Sequence, residues 1–305
     1  MKKSQLSYLY AGLTILAWST VSTSFKLSLI ALSPIGLLFV SSLTAVLFLG
    51  AVNLFTEKSF IPGGTAALRS NLKRSLLPGL LNPWLYYVML FIAYDRLRAQ
   101  EAQVLNYTWA IVLSLLSIII LKERFRLRDL LALLLSFLGV MVLSTKGRIS
   151  TLHFDDPLGS GIALATSIVW AGYWILSLKD GRKAQHKLFY NFLVGFIATT
   201  ILVLVYQITG TGSLLNGSGK APLPSLLAAV YTGIFEMGLT FLLWYKALSL
   251  AENTARVSNL IFITPFLSLI FIRLILAESI HPATLVGLLL IVCSNLWQRL
   301  GSRSS

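Results

Sequence analysis

The chain has 305 residues, of which 56% are hydrophobic and 12% charged, against about 25% charged in an average soluble domain. Twenty-five Lys and Arg face eleven Asp and Glu, a formal charge of +14. These values exclude intrinsic disorder and a soluble exterior. The one cysteine, Cys293, excludes a disulfide framework and a cysteine-based metal cluster.

In chain order the apolar residues form ten runs, each near the length at which a helix crosses a bilayer. They are Leu6–Phe25, Ile35–Phe55, Ser75–Tyr94, Ala102–Leu121, Leu130–Ser144, Leu158–Leu178, Leu188–Thr209, Ser225–Leu248, Ala255–Leu276 and Ala283–Trp297. The fifth and tenth are short and need a few flanking residues to complete a span. Runs such as Ala110–Leu121 and Leu130–Leu143 are apolar nearly all round, whereas helices of soluble proteins keep a polar face. The runs are too long for barrel strands and lack period-two alternation. The fold class is therefore an all-α integral membrane protein. Met1-Lys2-Lys3 ahead of the first run resembles a signal-peptide start, but the run is long and no small-x-small cleavage site follows, so it reads as the first span.

With the amino terminus in the cytoplasm and the spans alternating, most of the cations fall in cytoplasmic segments. Examples are Lys2 and Lys3, Lys73 and Arg74, Lys122 to Arg128, and Lys179 to Lys187. That bias satisfies the positive-inside rule for a multi-pass protein of the plasma (bacterial inner) membrane with both termini cytoplasmic. It also accounts for most of the basic excess without nucleic acid. The cationic loops are short and scattered, no basic patch interleaves with aromatics, and anionic lipid is the sufficient partner.

Residues 1–150 and 151–305 resemble each other. Spans four and five read Asn106-Tyr107-Thr108-Trp109-Ala110, an apolar stretch, Lys122-Glu123, then a stretch with Gly139. Spans nine and ten read Ile261-Phe262-Ile263-Thr264-Pro265, an apolar stretch, Ala277-Glu278, then a stretch with Gly287. Spans one and six carry Trp18-Ser19 and Trp170-Ala171. A repeat of five spans is odd in number, so the second copy enters from the opposite face. The expected architecture is ten transmembrane helices as two inverted five-helix repeats.

On these features the chain resembles the drug/metabolite transporter superfamily, EamA type, over nearly its whole length. The Asn106-Tyr107-Thr108-Trp109 element is similar to the branch that exports amino acids and other metabolites. Ala110 stands where that branch often has Pro, and Ser41 and Ser42 where it has Arg. The resemblance implies a secondary transporter that needs no cofactor and is not an enzyme. It also implies a central cavity lined by spans one, three, four, six, eight and nine, and export of small organic metabolites such as amino acids. A carrier of drugs or nucleotide sugars, an integral membrane enzyme and a non-transporting membrane protein remain alternatives. The working unit is a monomer or a weak homo-oligomer.

The polar and aromatic residues concentrate on those same spans. Asn82, Tyr86 and Met89 share a face of span three beside Pro83, and Gln103, Asn106, Tyr107 and Ala110 share one in span four, with Trp109 adjacent. Span six carries Thr166, Trp170, Tyr173, Trp174 and Ser177; span eight Gly233, Glu236 and Thr240; span nine Arg256, Asn259 and Thr264. The candidate substrate-binding set is Trp18, Asn82, Tyr86, Asn106, Tyr107, Trp109, Trp170, Tyr173, Glu236 and Asn259. Glu236 is the sharpest signal, because a carboxylate inside an apolar span must face a cavity or a partner. It reads as an ammonium-binding or proton-coupling group, or as a structural hydrogen bond. The amides could bind a zwitterion or tie helices together. The aromatics could form cation–π walls or pack.

Tyr10, Trp84, Trp244 and Trp297 read as interfacial belt or packing. Glu123 and Glu278 read as structural, pairing with loop cations or capping the next helix, and Arg273 as a partner of Glu278 or a snorkelling cation. His153, His186 and His281 lack metal-ligand spacing, so no metal site and no catalytic group is expected. The Gly210–Gly219 stretch lacks the Lys-Ser/Thr of a phosphate loop and reads as a flexible outer loop.

Overall fold

The computed structural model describes residues 3–120, 127–148, 155–216, 222–252, 257 and 260–301. Among these residues every regular element is a helix, and one isolated antiparallel bridge joins Leu32 to Leu215. In order, the helices are α1 (Lys3–Leu29), α2 (Pro34–Glu57), α3 (Gly64–Gly79), α4 (Tyr86–Arg96), α5 (Ala99–Asn106), α6 (Trp109–Ile120) and α7 (Leu127–Ser144). There follow α8 (Pro157–Leu178), α9 (Ala184–Thr209), α10 (Leu223–Tyr231), α11 (Thr240–Leu250), α12 (Thr264–Ile275) and α13 (Pro282–Gly301). A π-helical segment, Leu80–Leu85, joins α3 to α4, and a second, Thr232–Leu239, joins α10 to α11. A 3₁₀ turn, Leu260–Ile263, leads into α12.

Five helical stretches are long and apolar enough to cross a membrane: Pro34–Glu57, Gly64–Arg96, Pro157–Ser177, Ala184–Thr209 and Leu223–Leu250. Shorter apolar helices include Leu131–Leu143, Leu260–Ile275 and Pro282–Trp297. The polarity of the molecule is that of a protein solvated by lipid. Ile197, Ile201, Leu204 and Ile208 are exposed along α9, and Leu13 and Leu16 along α1, while small hydroxyls are buried. Helices in lipid gain little from hiding leucine and associate through close packing and interhelical hydrogen bonds.

Helix α1, 27 residues long, shows how this works. Its serines and threonines dilute its hydropathy, and they face other helices. Ser7 Oγ donates to the Ala247 carbonyl at 2.7 Å, and Ser24 Oγ to the Ala228 carbonyl at 2.7 Å. The Thr20 hydroxyl meets the Tyr231 hydroxyl at 2.6 Å, and Ser22 meets Tyr94 at 2.7 Å. α1 is thus stitched to the Leu223–Leu250 stretch on one side and to α4 on the other.

The helix ends are explicit. Ser33 caps α2, accepting from the Gly36 N–H at 3.1 Å, with Pro34 behind it. Asp156 caps α8, accepting from the Gly159 N–H at 2.9 Å, and Gly210 ends α9 at φ 68°. Part of the glycine-rich stretch after α9, expected to be a flexible loop, is instead fastened to the α1–α2 turn. The Ser33 N–H donates to the Leu214 carbonyl at 3.0 Å, and Asn216 Nδ2 to the carbonyls of Leu29 and Leu32 at 2.9 and 3.0 Å.

The packing joins the two halves element by element. α2 lies against α9, and α7 against α13. α1 packs on α11 and α12, and α8 packs on α4 and α6. The α7–α13 seam is tight. A Cβ added at Gly139 would stand 2.8 Å from the Gly287 carbonyl oxygen, and one at Gly287 would stand 2.8 Å from the Gly139 carbonyl oxygen. Each glycine admits the other helix's backbone. Cys293 is exposed on α13.

Candidate functional site

Between the halves lies a cavity of about 280 Å³. α1 contributes Trp18, Ser22 and Phe25 to its wall; α4 Tyr86, Leu90 and Tyr94; α5 and the turn after it Gln103, Asn106 and Tyr107. α8 contributes Trp170 and Trp174, the second π segment Glu236, and α11 Phe241, Trp244 and Leu248. Trp109, Leu113, Ile261 and Thr264 complete the lining, with Val21.

The rings form a continuous wall. Trp18 lies 5.8 Å from Trp244 and 6.0 Å from Phe241, centroid to centroid. Phe241 continues to Trp170 at 5.9 Å, Trp170 to Tyr86 at 4.7 Å, and Tyr86 to Tyr87 at 4.8 Å. Such tilted and edge contacts are the favoured aromatic geometries, so the wall is self-supporting.

Glu236 adds the carboxylate of the described lining, from the Thr232–Leu239 π segment. Its Oε1 accepts a hydrogen bond from the Tyr87 hydroxyl at 3.0 Å, and Trp18 is its second hydrogen-bonding neighbour. A π turn adds a residue to the helical repeat and is often found at functional positions. Here Thr240 satisfies the loosened backbone: its hydroxyl donates to the Phe235 carbonyl and, at 3.1 Å, to the Glu236 carbonyl. Across the cavity, Asn106 is held by both neighbours. Tyr86 donates to its Oδ1 at 3.3 Å, and its Nδ2 donates to Thr166 at 2.8 Å.

Seven of the ten expected site residues line the cavity: Trp18, Tyr86, Asn106, Tyr107, Trp109, Trp170 and Glu236. Asn82 and Tyr173 do not. Asn82 is fully buried at the non-helical break ahead of the cis Pro83, and the Tyr173 hydroxyl accepts from Asn191 Nδ2 at 3.4 Å behind the wall. Asn259, Arg256 and Glu123 lie outside the described residues. Trp244, expected in a belt or in packing, is packed against Trp18 and also lines the cavity, because it follows Phe241 by three residues and Leu248 follows it by four on one helical face. Tyr87 and Tyr94 were not singled out. The adjacent pair Tyr86-Tyr87 just after Pro83 was their available signal.

Glu278 is structural, and its partner is a different helix from the next one. Its Oε1 accepts from the Ala99 N–H at 3.1 Å and Oε2 from Gln100 Nε2 at 3.4 Å, so it caps α5. Gln100 returns the connection, accepting from the His281 N–H at 3.1 Å and the Thr284 hydroxyl at 2.8 Å. Arg273 reaches the Glu278 backbone carbonyl, at 3.5 Å, with its guanidinium. At the same end of the molecule Arg96 holds Asp156 through Nε at 2.9 Å and Nη2 at 3.0 Å. These bonds, with the Gly159 N–H, hold the Asp156 carboxyl below its usual range. At the opposite end burial pushes the Asp180 carboxyl up, but the Arg182 guanidinium at 2.7 Å outweighs it and the net shift is downward.

No group of three or more His, Cys, Asp or Glu among the described residues is arranged to hold a metal ion. The fold and the site together define a polytopic helical membrane protein built around a ligand-sized aromatic cavity whose described lining holds one carboxylate. The EamA-like transporter family model matches residues 5–145 and again 157–297, and the chain belongs to that family. It is 25% identical over 283 residues to an uncharacterized transporter of Archaeoglobus fulgidus, covering 92% of this chain and 93% of that one. It is 24% identical over 219 residues to the uncharacterized transporter YvbV of Bacillus subtilis, covering 72% and 69%. A solved crystal structure with 20% sequence identity superposes with a TM-score of 0.64 over 98% of both chains, which shows the shared fold. The protein is a membrane transporter.

Proposed function

We propose that the protein is a secondary active transporter that exports small organic metabolites bearing an amino group, amino acids among them, across the plasma (bacterial inner) membrane. In this reading residues 1–150 and 151–305 are five-span repeats of opposite orientation, giving ten spans with both termini cytoplasmic. The reciprocal packing supports it: α1 meets α11 and α12 as α8 meets α4 and α6, while α2–α9 and α7–α13 pair like with like. Both halves also place a π segment in the third of their five spans. Alternating access would rock the two bundles about the cavity they share. In this reading the working unit is a monomer or a weak homo-oligomer.

The observation that carries the proposal is the Glu236 carboxylate, hydrogen-bonded to Tyr87 in the lining of an aromatic cavity between the halves. The substrate-binding side chains are Trp18, Tyr86, Asn106, Tyr107, Trp109, Trp170 and Glu236, with Asn82, Tyr173 and Asn259 supporting them. The test is counterflow in proteoliposomes preloaded with an amino-acid mixture. Saturable exchange is expected, reduced at least about tenfold by Glu236→Gln. Export that responds to a pH gradient with Glu236 and not with Gln would assign it proton coupling. No exchange of any amino-group compound would sink the reading.

A further inference from the structure

We propose that the cavity selects amines of net positive charge with an aromatic or apolar body, over zwitterions and anions. This deepens the transport reading above and rests on it only for the movement of the ligand, not for its binding.

Three observations carry the inference. First, the described residues lining the cavity include one ionisable carboxylate, Glu236, and no Lys, Arg or His. That lining favours a cation, and the neighbouring Lys26 ammonium is held by the Tyr94 backbone carbonyl at 2.6 Å. Second, Glu236 lies against the ring series Trp244, Trp18, Phe241, Trp170 and Tyr86, successive centroids 4.7 to 6.0 Å apart, with Trp18 beside it and Tyr87, the ring next to Tyr86, bonded to its carboxylate. Aromatic faces around a desolvated ammonium attract it through their quadrupoles, as in the cages that bind alkylammonium groups. Third, the described lining offers a carboxylate ligand neutral donors only: hydroxyls, the Gln103 amide and indole N–H groups such as that of Trp174. The helix break at Tyr107–Thr108 is bridged by its own bonds: Tyr107 N–H to the Gln103 carbonyl at 3.1 Å, Thr108 N–H to that of Leu105 at 3.2 Å, and Ile111 N–H to that of Thr108 at 3.1 Å. The turn between α5 and α6 thus engages these three N–H groups internally. The Asn106 amide is already engaged by Tyr86 and Thr166. Among the described lining residues, a zwitterion's carboxylate would meet Gln103 and hydroxyls such as those of Ser22 and Thr264, but no Lys, Arg or His.

The experiment uses four probes that share a phenyl ring and chain and differ in charge. They are phenethylamine (cation), phenylalanine (zwitterion), 2-phenylethanol (neutral) and 3-phenylpropionate (anion). Binding to the purified full chain is read by intrinsic tryptophan fluorescence and by titration calorimetry. Phenethylamine is expected to bind at least about tenfold tighter than phenylalanine, with phenylpropionate weakest. Glu236→Gln should remove that preference and leave 2-phenylethanol within about twofold. The wild-type series stands by itself should the variant fail to fold.

Phenylalanine binding as well as phenethylamine, a preference that survives in a folded Glu236→Gln, or no binding by any probe would each overturn the proposal. Counterflow with the same probes separates it from the transport reading. An amine that binds and does not exchange refutes transport and leaves the selectivity standing. Exchange of phenylalanine with phenethylamine inert does the reverse.

Discussion

The glycine seam between α7 and α13 gives a quantitative test of how the two halves are joined. Replacing Gly139 by alanine puts a Cβ 2.8 Å from the Gly287 carbonyl oxygen, 2.9 Å from Ile291 Cγ1 and 3.1 Å from Leu290 Cβ. The isoleucine methylene can turn aside, but the carbonyl is backbone. Restoring an ordinary contact moves the helices apart by about half an ångström, which loosens dispersion contacts along the seam. Overpacking of this kind costs about 1–3 kcal/mol. The reciprocal Gly287→Ala meets the Gly139 carbonyl oxygen at 2.8 Å and Leu143 Cβ at 3.0 Å, so its cost should be similar. The double variant should cost less than the two together. Once the seam has opened for one methyl group, the second finds room, an interaction of about 1 kcal/mol. Reversible unfolding of the four proteins in detergent measures all three quantities. Strict additivity, or single variants within about 0.5 kcal/mol of the parent, would refute the interdigitated seam.

Other outcomes follow from the same structure. Glu278→Ala should destabilise by about 1–2 kcal/mol, since it uncaps α5 and takes one of its two acceptors from the buried Gln100 amide N–H group, leaving the Ser279 carbonyl. Glu278→Gln, which keeps an acceptor, should recover most of that in the same melts. Asn106→Leu breaks the Tyr86–Asn106–Thr166 chain, and weaker substrate binding at unchanged fold, read by titration and circular dichroism, is the expected result. Asp156 has a folded-state pKa below its ordinary value, so its stabilising contribution is full at neutral pH and is lost as the pH falls below about 4. Asp156→Asn should therefore flatten the acid limb of the melting temperature and leave the neutral-pH slope unchanged.

Much of the fold is legible in the sequence because lipid leaves the backbone so few options. Every peptide group in the bilayer must bond within its own helix, so each span has to be a long apolar run. Helices such as α2 and α9 could be read to within a few residues. The breaks were harder. Pro83 announces the first π segment, but Thr232–Leu239 contains no proline, and its distortion depends on packing against α2 and α1. Glu236 stood out as a lone carboxylate in an apolar run. That Tyr87 supports it was not legible, because the register between spans three and eight is set by packing rather than by either sequence. Glu278 was legible as a helix-capping acid, but its partner, α5, lies 179 residues away at Ala99. The place of Trp244 in the cavity wall was missed for a related reason: a ring near a span end has the same signature whether it faces headgroups or a cavity.

The lone, exposed Cys293 has a practical consequence. One substitution, Cys293→Ser, yields a thiol-free parent without touching the cavity wall. Any cysteine then introduced along α1, α4 or α11 would be the sole reactive sulfur in the molecule. Paired spectroscopic labels across the α1–α11 or α4–α8 contact would report the separation of the two bundles directly. Relative movement of the two halves could thus be timed in an otherwise native chain, with each signal assignable to a chosen position.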